Sequence, residues 1–141
     1  MTENTPVVVK TKHGQLTLEE IAELQPGLAT LMRDISDRYW IAYYAAQGGN
    51  WALAAYQLRA TRKRLAEGAL TRPKHKAMLE SYTQQLIEPL LAQCDQKDFV
   101  AFDRLYREGI ALANRMHATT KHPEIVWKLP SRPPEHLELG H

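Results

Sequence analysis

Residues 28–58, LATLMRDISDRYWIAYYAAQGGNWALAAYQL, carry the pattern that sets the fold class. Leu28, Leu31, Met32, Ile35, Tyr39, Ala42 and Ala46 recur at steps of three and four, which places them on one face of a helix; Arg33, Asp34, Asp37 and Arg38 fall elsewhere. Gly48-Gly49 ends this helix near Gln47, because glycine takes left-handed backbone at little steric cost, and Asn50 is placed to cap the next one. A second stripe follows at Trp51, Ala55, Leu58, Thr61 or Arg62, and Leu65, with Gly68 as its expected stop. So short a turn makes the two helices antiparallel neighbours.

Upstream, Thr17-Leu18-Glu19-Glu20 matches a capping box and predicts a short helix through about Leu24, and Pro26 suits the first position of the long helix. Downstream, Pro73 opens a third helix containing Leu79, Tyr82, Leu86, Leu90 and Cys94. Pro89 is expected to kink or divide it, since its ring clashes with a carbonyl one turn back and it has no N–H. Asp98 caps a fourth helix with the stripe Phe99, Phe102, Leu105, Gly109, Leu112, Ala113 and Met116, fading near Thr119. His122-Pro123 breaks the helix. Ile125, Trp127 and Leu129 then alternate as in an extended strap able to cover a groove.

The expected architecture is all-α: an antiparallel four-helix bundle with a short N-terminal helix and an extended C-terminal strap. Its divisions are a mobile N-terminal arm at 1–16, which would otherwise be a strand laid on the body, a helical domain at 17–130, and a flexible C-terminal tail at 131–141. At 141 residues the chain is one domain's worth, able to bury a core without disulfides or a structural metal. With 24% charged and 44% hydrophobic residues and a formal charge of +2, it has the composition of an ordinary soluble domain, without a specific nucleic-acid signal. Val7-Val8-Val9 is too short for a signal-peptide core, no run approaches the length of a membrane span, and Cys94 is the single cysteine. These point to a cytoplasmic protein.

The residues that could carry chemistry do not form a familiar constellation. The histidines are His13, His75, His117, His122, His136 and His141; position 114 is Asn and position 72 is Arg, so the Glu-x-x-His pairing of di-iron bundles fails at both helical histidines and no protein-only metal site is expected. Cys94, after Leu90 and Leu91, reads as a small buried hydrophobe. Phosphate-loop, dinucleotide and Gly-x-Ser-x-Gly patterns are absent. Arg59, Arg62, Lys63, Arg64, Arg72, Lys74 and Lys76 form a basic elbow that suits an acidic protein partner, or a solvated bundle end. Tyr39, Trp40, Tyr43, Tyr44, Trp51 and Tyr56 exceed one helical stripe, which suggests a homodimer, and Tyr39, Tyr43 and Trp51 are placed to line a pocket.

Leu31-Met32, the Gly48-Gly49-Asn50-Trp51 turn, Ala54-x-Tyr56-x-Leu58, and the Asp98-Phe99 helix start together resemble the small helical c-type cytochromes similar to cytochrome c prime. The resemblance covers roughly Leu24 to Pro130. It implies a four-helix bundle with haem at the end of the last helix, the axial role at His117 and a pocket role for Met32. The attaching cysteines are missing: positions 113 and 116 are Ala113 and Met116, which excludes covalent haem c. Three outcomes remain. The pocket holds noncovalent haem through His117, it holds another apolar ligand, or Met116 and Trp127 fill it. The candidate ligand-binding residues are thus His117, Met116, Met32, Tyr39, Tyr43, Trp51 and Trp127. The function classes are a non-enzymatic ligand-binding or protein-interaction module, a haem-b sensor, carrier or small haem enzyme, and a haem-independent enzyme pairing His117 with Asp98 or Tyr82.

Overall fold

The computed structural model describes residues 5–140; residues 1–4 of the arm and His141 lie outside the described residues. Within them the chain is mostly helical (68%) with one small two-stranded sheet, which places it in the helical class. The sheet is the arm. Val8–Thr11 (β1) pairs antiparallel with Gly14–Thr17 (β2), Val8 opposite Thr17, and both strands are largely exposed. Gly14 turns the chain at φ +135°, a conformation that other residues rarely adopt. Strand β2 runs directly into Leu18–Glu23 (α1), where the capping box forms: the Glu20 N–H donates to Thr17 Oγ1 at 3.1 Å and the Thr17 N–H to Glu20 Oε1 at 2.9 Å.

Helix α2 spans Leu28–Gln47, two residues later than Pro26 would have started it, with Gly27 as its cap. Gly48 and Gly49 end it, Gly49 at φ +85°, and Asn50 caps Trp51–Thr71 (α3) by accepting from the Leu53 N–H at 3.1 Å. Gly68 does not stop α3. It is buried in the last turns, and a Cβ there would stand 3.0 Å from Leu28 and 3.2 Å from Leu79, so glycine serves close helix packing rather than termination. A short 3-10 turn at Pro73–His75 then leads into Lys76–Tyr82 (α4), a π turn at Thr83–Ile87 and Glu88–Gln96 (α5). The expected break at Pro89 is absorbed here. A π turn shifts hydrogen bonding by one residue, so the missing Pro89 N–H is accommodated while the helical run continues. Lys97, left-handed at φ +54°, closes α5, and the Asp98 carboxylate accepts from the Ala101 N–H at 3.0 Å to start Phe99–Thr119 (α6).

Helix α2 packs along α3, α3 also meets α4 and α5, and α6 meets α5, α4 and α2. The centre is aromatic. Tyr39 and Tyr106 stack at 4.0 Å between ring centroids, and each hydroxyl donates to the other residue's backbone carbonyl, at 3.2 Å from Tyr39 and 2.8 Å from Tyr106. Tyr82 adds a third phenol, donating to the Gly109 carbonyl at 3.1 Å. Only glycine fits at 109, since a Cβ would collide with the Tyr39 hydroxyl and stand 3.0 Å from that of Tyr82.

The last residues are held rather than loose. Trp40 Nε1 donates to the Arg132 carbonyl at 2.8 Å, Asn50 Nδ2 to the Glu138 carbonyl at 2.9 Å, and Pro134 is buried. Gly48 and Gly140 let the two backbones touch, each leaving no room for a Cβ. Residues 131–140 therefore lie against the α2–α3 turn instead of forming the flexible tail expected from their polar, proline-rich composition. That composition reports local propensity and carries no sign of a distant docking surface.

Replacing Gly109 with Ala drives a methyl into two buried hydroxyls. It should destabilise the fold by about 3 kcal/mol, the sum of overpacking and a disturbed hydrogen bond, as read by urea denaturation.

Candidate ligand-binding cavity

A cavity of ≈ 530 Å³ opens where the first half of α2, the 3-10 turn, α4 and the end of α6 converge. Leu28, Met32 and Ile35 come from α2, Met78, Leu79 and Tyr82 from α4, and Ala113, Met116 and His117 from α6. Ile125 and Trp127 close one side. Such a volume, walled mainly by apolar side chains with a few polar groups, falls within the range of small-molecule pockets. The three thioethers of Met32, Met78 and Met116 make the wall adaptable, because methionine is unbranched and polarisable.

The strap is what makes this a cavity. Asn114, one step off the α6 core stripe, clasps the Trp127 backbone twice: Oδ1 accepts from its N–H at 2.7 Å and Nδ2 donates to its carbonyl at 3.0 Å. Farther along, Tyr44 donates its hydroxyl to the Pro130 carbonyl. The Trp127 indole is thereby set 6.0 Å from the His117 ring on one side and 6.0 Å from Tyr39 on the other.

His117 sits in the last turn of α6, and its Nδ1 is buried with no hydrogen-bond partner among the described residues. Its pKa is lowered from the ordinary 6.5: burial is the main cause, the Ile125 backbone opposes it, and the neighbouring His122 adds to it. A helix C-terminus ordinarily favours a protonated imidazole, so here desolvation outweighs the helix dipole.

Of the seven residues singled out from sequence, the structure brings His117, Met116, Met32 and Trp127 to this cavity. The other three lie elsewhere. Tyr39 is in the core and borders a separate cleft of ≈ 270 Å³ on the far side of Trp127; Tyr43 donates to Asp103 Oδ1 at 2.7 Å; Trp51 packs edge-on against Phe102 at 5.9 Å. Burial, followed by Asp103, raises the Tyr43 pKa, and burial takes that of Tyr82 to about 12. The aromatic excess that suggested a dimer has a use within the chain, since Trp40 and Tyr44 bond the C-terminal segment.

The other candidates separate in space. Asp98 and His117 occupy opposite ends of α6, roughly 28 Å apart at the helical rise. Tyr82 shares the cavity with His117, but its hydroxyl is bonded to Gly109. Cys94 is buried, and burial pushes its thiol up to about 11, away from thiolate chemistry. His122 pairs with Glu124 at 2.8 Å, while His13 and His136 are exposed. Among the described residues no group of three His, Cys, Asp or Glu is placed to hold a metal ion. The basic elbow is partly neutralised: Arg64 bridges Asp34 and Glu67, and Arg62 meets Glu88 at 2.9 Å. Arg38, with Arg64 behind it, holds the Asp34 carboxyl below its usual range. No helix among the described residues is long and apolar enough to cross a membrane.

Sequence reasoning missed Lys74, His75, Met78 and Asn114 at this site. Lys74 and His75 were visible as part of the basic run and the histidine set. Met78 and Asn114 left only the weak signal of residues one step off an apolar stripe.

Two outcomes test this geometry. Asn114→Ala removes both strap bonds and should cost about 2 kcal/mol of stability and shift Trp emission to the red as Trp127 gains solvent. Because the folded His117 pKa lies below its unfolded value, the unfolded chain binds the extra proton first; stability should fall as pH drops below about 6.5 and stop falling below the folded pKa. Between pH 7.5 and 5.5, His117→Gln should therefore lose less Tm than the unaltered protein in thermal melts.

No protein-family model matches this chain, and no curated protein or solved structure matches it.

Proposed function

We propose that this protein is a non-enzymatic ligand-binding module, a four-helix bundle of the cytochrome c prime kind that lacks covalent haem and holds a small apolar ligand beside His117. Four helical runs, 28–47, 51–71, 76–96 and 99–119, joined in sequence by short turns support the antiparallel bundle. The observation that carries the function is the strap-closed cavity itself, roofed by Trp127 and lined by Met32 and Met116. The volume left between Met116 and Trp127 supports an occupied pocket over one filled by its own side chains. Against catalysis stand the bonded Tyr82 hydroxyl, the distance from His117 to Asp98 and the raised Cys94 thiol.

The imidazole of His117 on the cavity wall favours one second reading, a noncovalent haem-b protein. The residues present fit that group in kind: an imidazole at the end of α6, apolar walls, and Lys74 and His75 at the cavity edge as cationic or donor groups for propionates. In that reading His117 is the axial ligand and Met32 a wall. Haem when bound would supply an iron centre for gas binding or electron transfer.

Titration with the neutral fluorophore N-phenyl-1-naphthylamine should raise and blue-shift its emission and quench Trp fluorescence. Ala29→Trp, at an exposed position on the cavity edge, should weaken binding about tenfold. No binding by the unaltered protein overturns the cavity reading. In a parallel haem titration, a Soret band abolished by His117→Ala selects haem b, and its absence discards that reading.

A further inference from the structure

The polar groups around the cavity share one electrostatic character. Among the described residues, Lys74, His75, His117, Thr120 and His122 line it, and no Asp or Glu does. In a chain with 16 acids and 18 basic Lys and Arg residues, a site of this size without a carboxylate is a local bias. The nearby Glu124 is bonded to His122 at 2.8 Å and contributes no lining surface.

Lys74 and His75 differ from the rest of the basic elbow in where they stand. Arg62, Arg64 and Lys76 each meet an acid, and of the elbow's cations without an ion-pair partner among the described residues, Arg59, Lys63 and Arg72 lie off the cavity while Lys74, with His75 beside it, lines it. Both stand on the 3-10 turn that Pro73 opens, Lys74 exposed, and share the cavity lining with the half-buried thioethers of Met32, Met78 and Met116. An apolar interior with an unneutralised cation at its edge matches a molecule with an apolar body and a single anionic end.

We infer that the cavity takes an apolar carboxylate of the fatty-acid type, its hydrocarbon against Met32, Met78, Met116 and Trp127 and its carboxylate at Lys74 and His75. This rests on the ligand-binding reading above and adds the chemistry of the ligand. Lys74 is a recognition group here. It is exposed, so it is not needed for the core. The carboxylate accepts hydrogen bonds from the ammonium and the imidazole without any covalent step.

The test is calorimetric titration at pH 8 with decanoate, decanol and decyltrimethylammonium, for the unaltered protein and for Lys74→Glu, with circular dichroism to confirm folding. Decanoate should bind more tightly than decanol, and the cation most weakly. Lys74→Glu should weaken decanoate roughly fivefold and leave decanol unchanged, the scale of one exposed ion pair. A second variant, His75→Ala, should weaken decanoate in the same selective way. If decanoate and decanol bind alike and Lys74→Glu alters neither, the anionic assignment is overturned while the apolar cavity stands. If neither binds the unaltered protein, both the assignment and the cavity reading fall.

Discussion

Two buried phenols facing each other across α2 and α6 set the geometry on which the rest depends. Tyr39 and Tyr106 are nearly inaccessible, so each hydroxyl must find a partner inside the protein or lose about 1–3 kcal/mol in uncompensated desolvation. Each finds the other's main-chain carbonyl, which ties side chain to backbone in both directions. Sliding one helix along the other would break both bonds together, so the pair fixes register as well as distance. Tyr82 extends the same logic to α4 through the Gly109 carbonyl, and the absence of a side chain at 109 is what lets the phenols approach. Burial raises the pKa of all three, as expected of hydroxyls that remain neutral donors.

The register has a consequence three turns away. His117 lies eleven residues beyond Tyr106 on α6, roughly 16 Å along the axis, so the phenol clasp determines where Met116 and His117 meet Met32 of α2 and Met78 of α4. The strap supplies a further wall. Its two bonds from Asn114 hold the Trp127 backbone against α6, and the indole then divides the apolar cavity from the smaller cleft beside Tyr39. A buried imidazole nitrogen without a partner among the described residues is an expensive feature in a fold that satisfies its buried phenols, and it belongs to a residue of the cavity wall.

Surface electrostatics divide along the same line. Arg38, Arg62 and Arg64 are engaged by Asp34, Glu67 and Glu88 between or along helices. Pairs of this exposure contribute little stability, yet they remove charge from the elbow and leave Lys74 at the cavity as a cation without a carboxylate beside it. A run of like charges in sequence thus becomes, in space, a partly neutralised helix and a separate cationic position on the cavity wall.

Sequence by itself determined the helices and their caps. The spacing from Leu28 to Ala46, the Gly48-Gly49-Asn50 turn, the Thr17 capping box and the Asp98 cap are local signals, written within one or two turns of the residues they organise. His117, Met116, Met32 and Trp127, which the sequence offered as candidates, line one cavity, whereas Tyr39, Tyr43 and Trp51 went to other surroundings. Tertiary structure alone decided that Gly68 is a packing residue, that Pro89 follows a π turn, that residues 131–140 dock on the α2–α3 turn, and that Asn114 holds the strap. Each depends on an atom brought near from a distant part of the chain: Leu28 and Leu79 against Gly68, Gly140 against Gly48, Trp127 against Asn114. Periodicity records which face of a helix is apolar, but not which neighbour that face will meet, and cavities form from the neighbours.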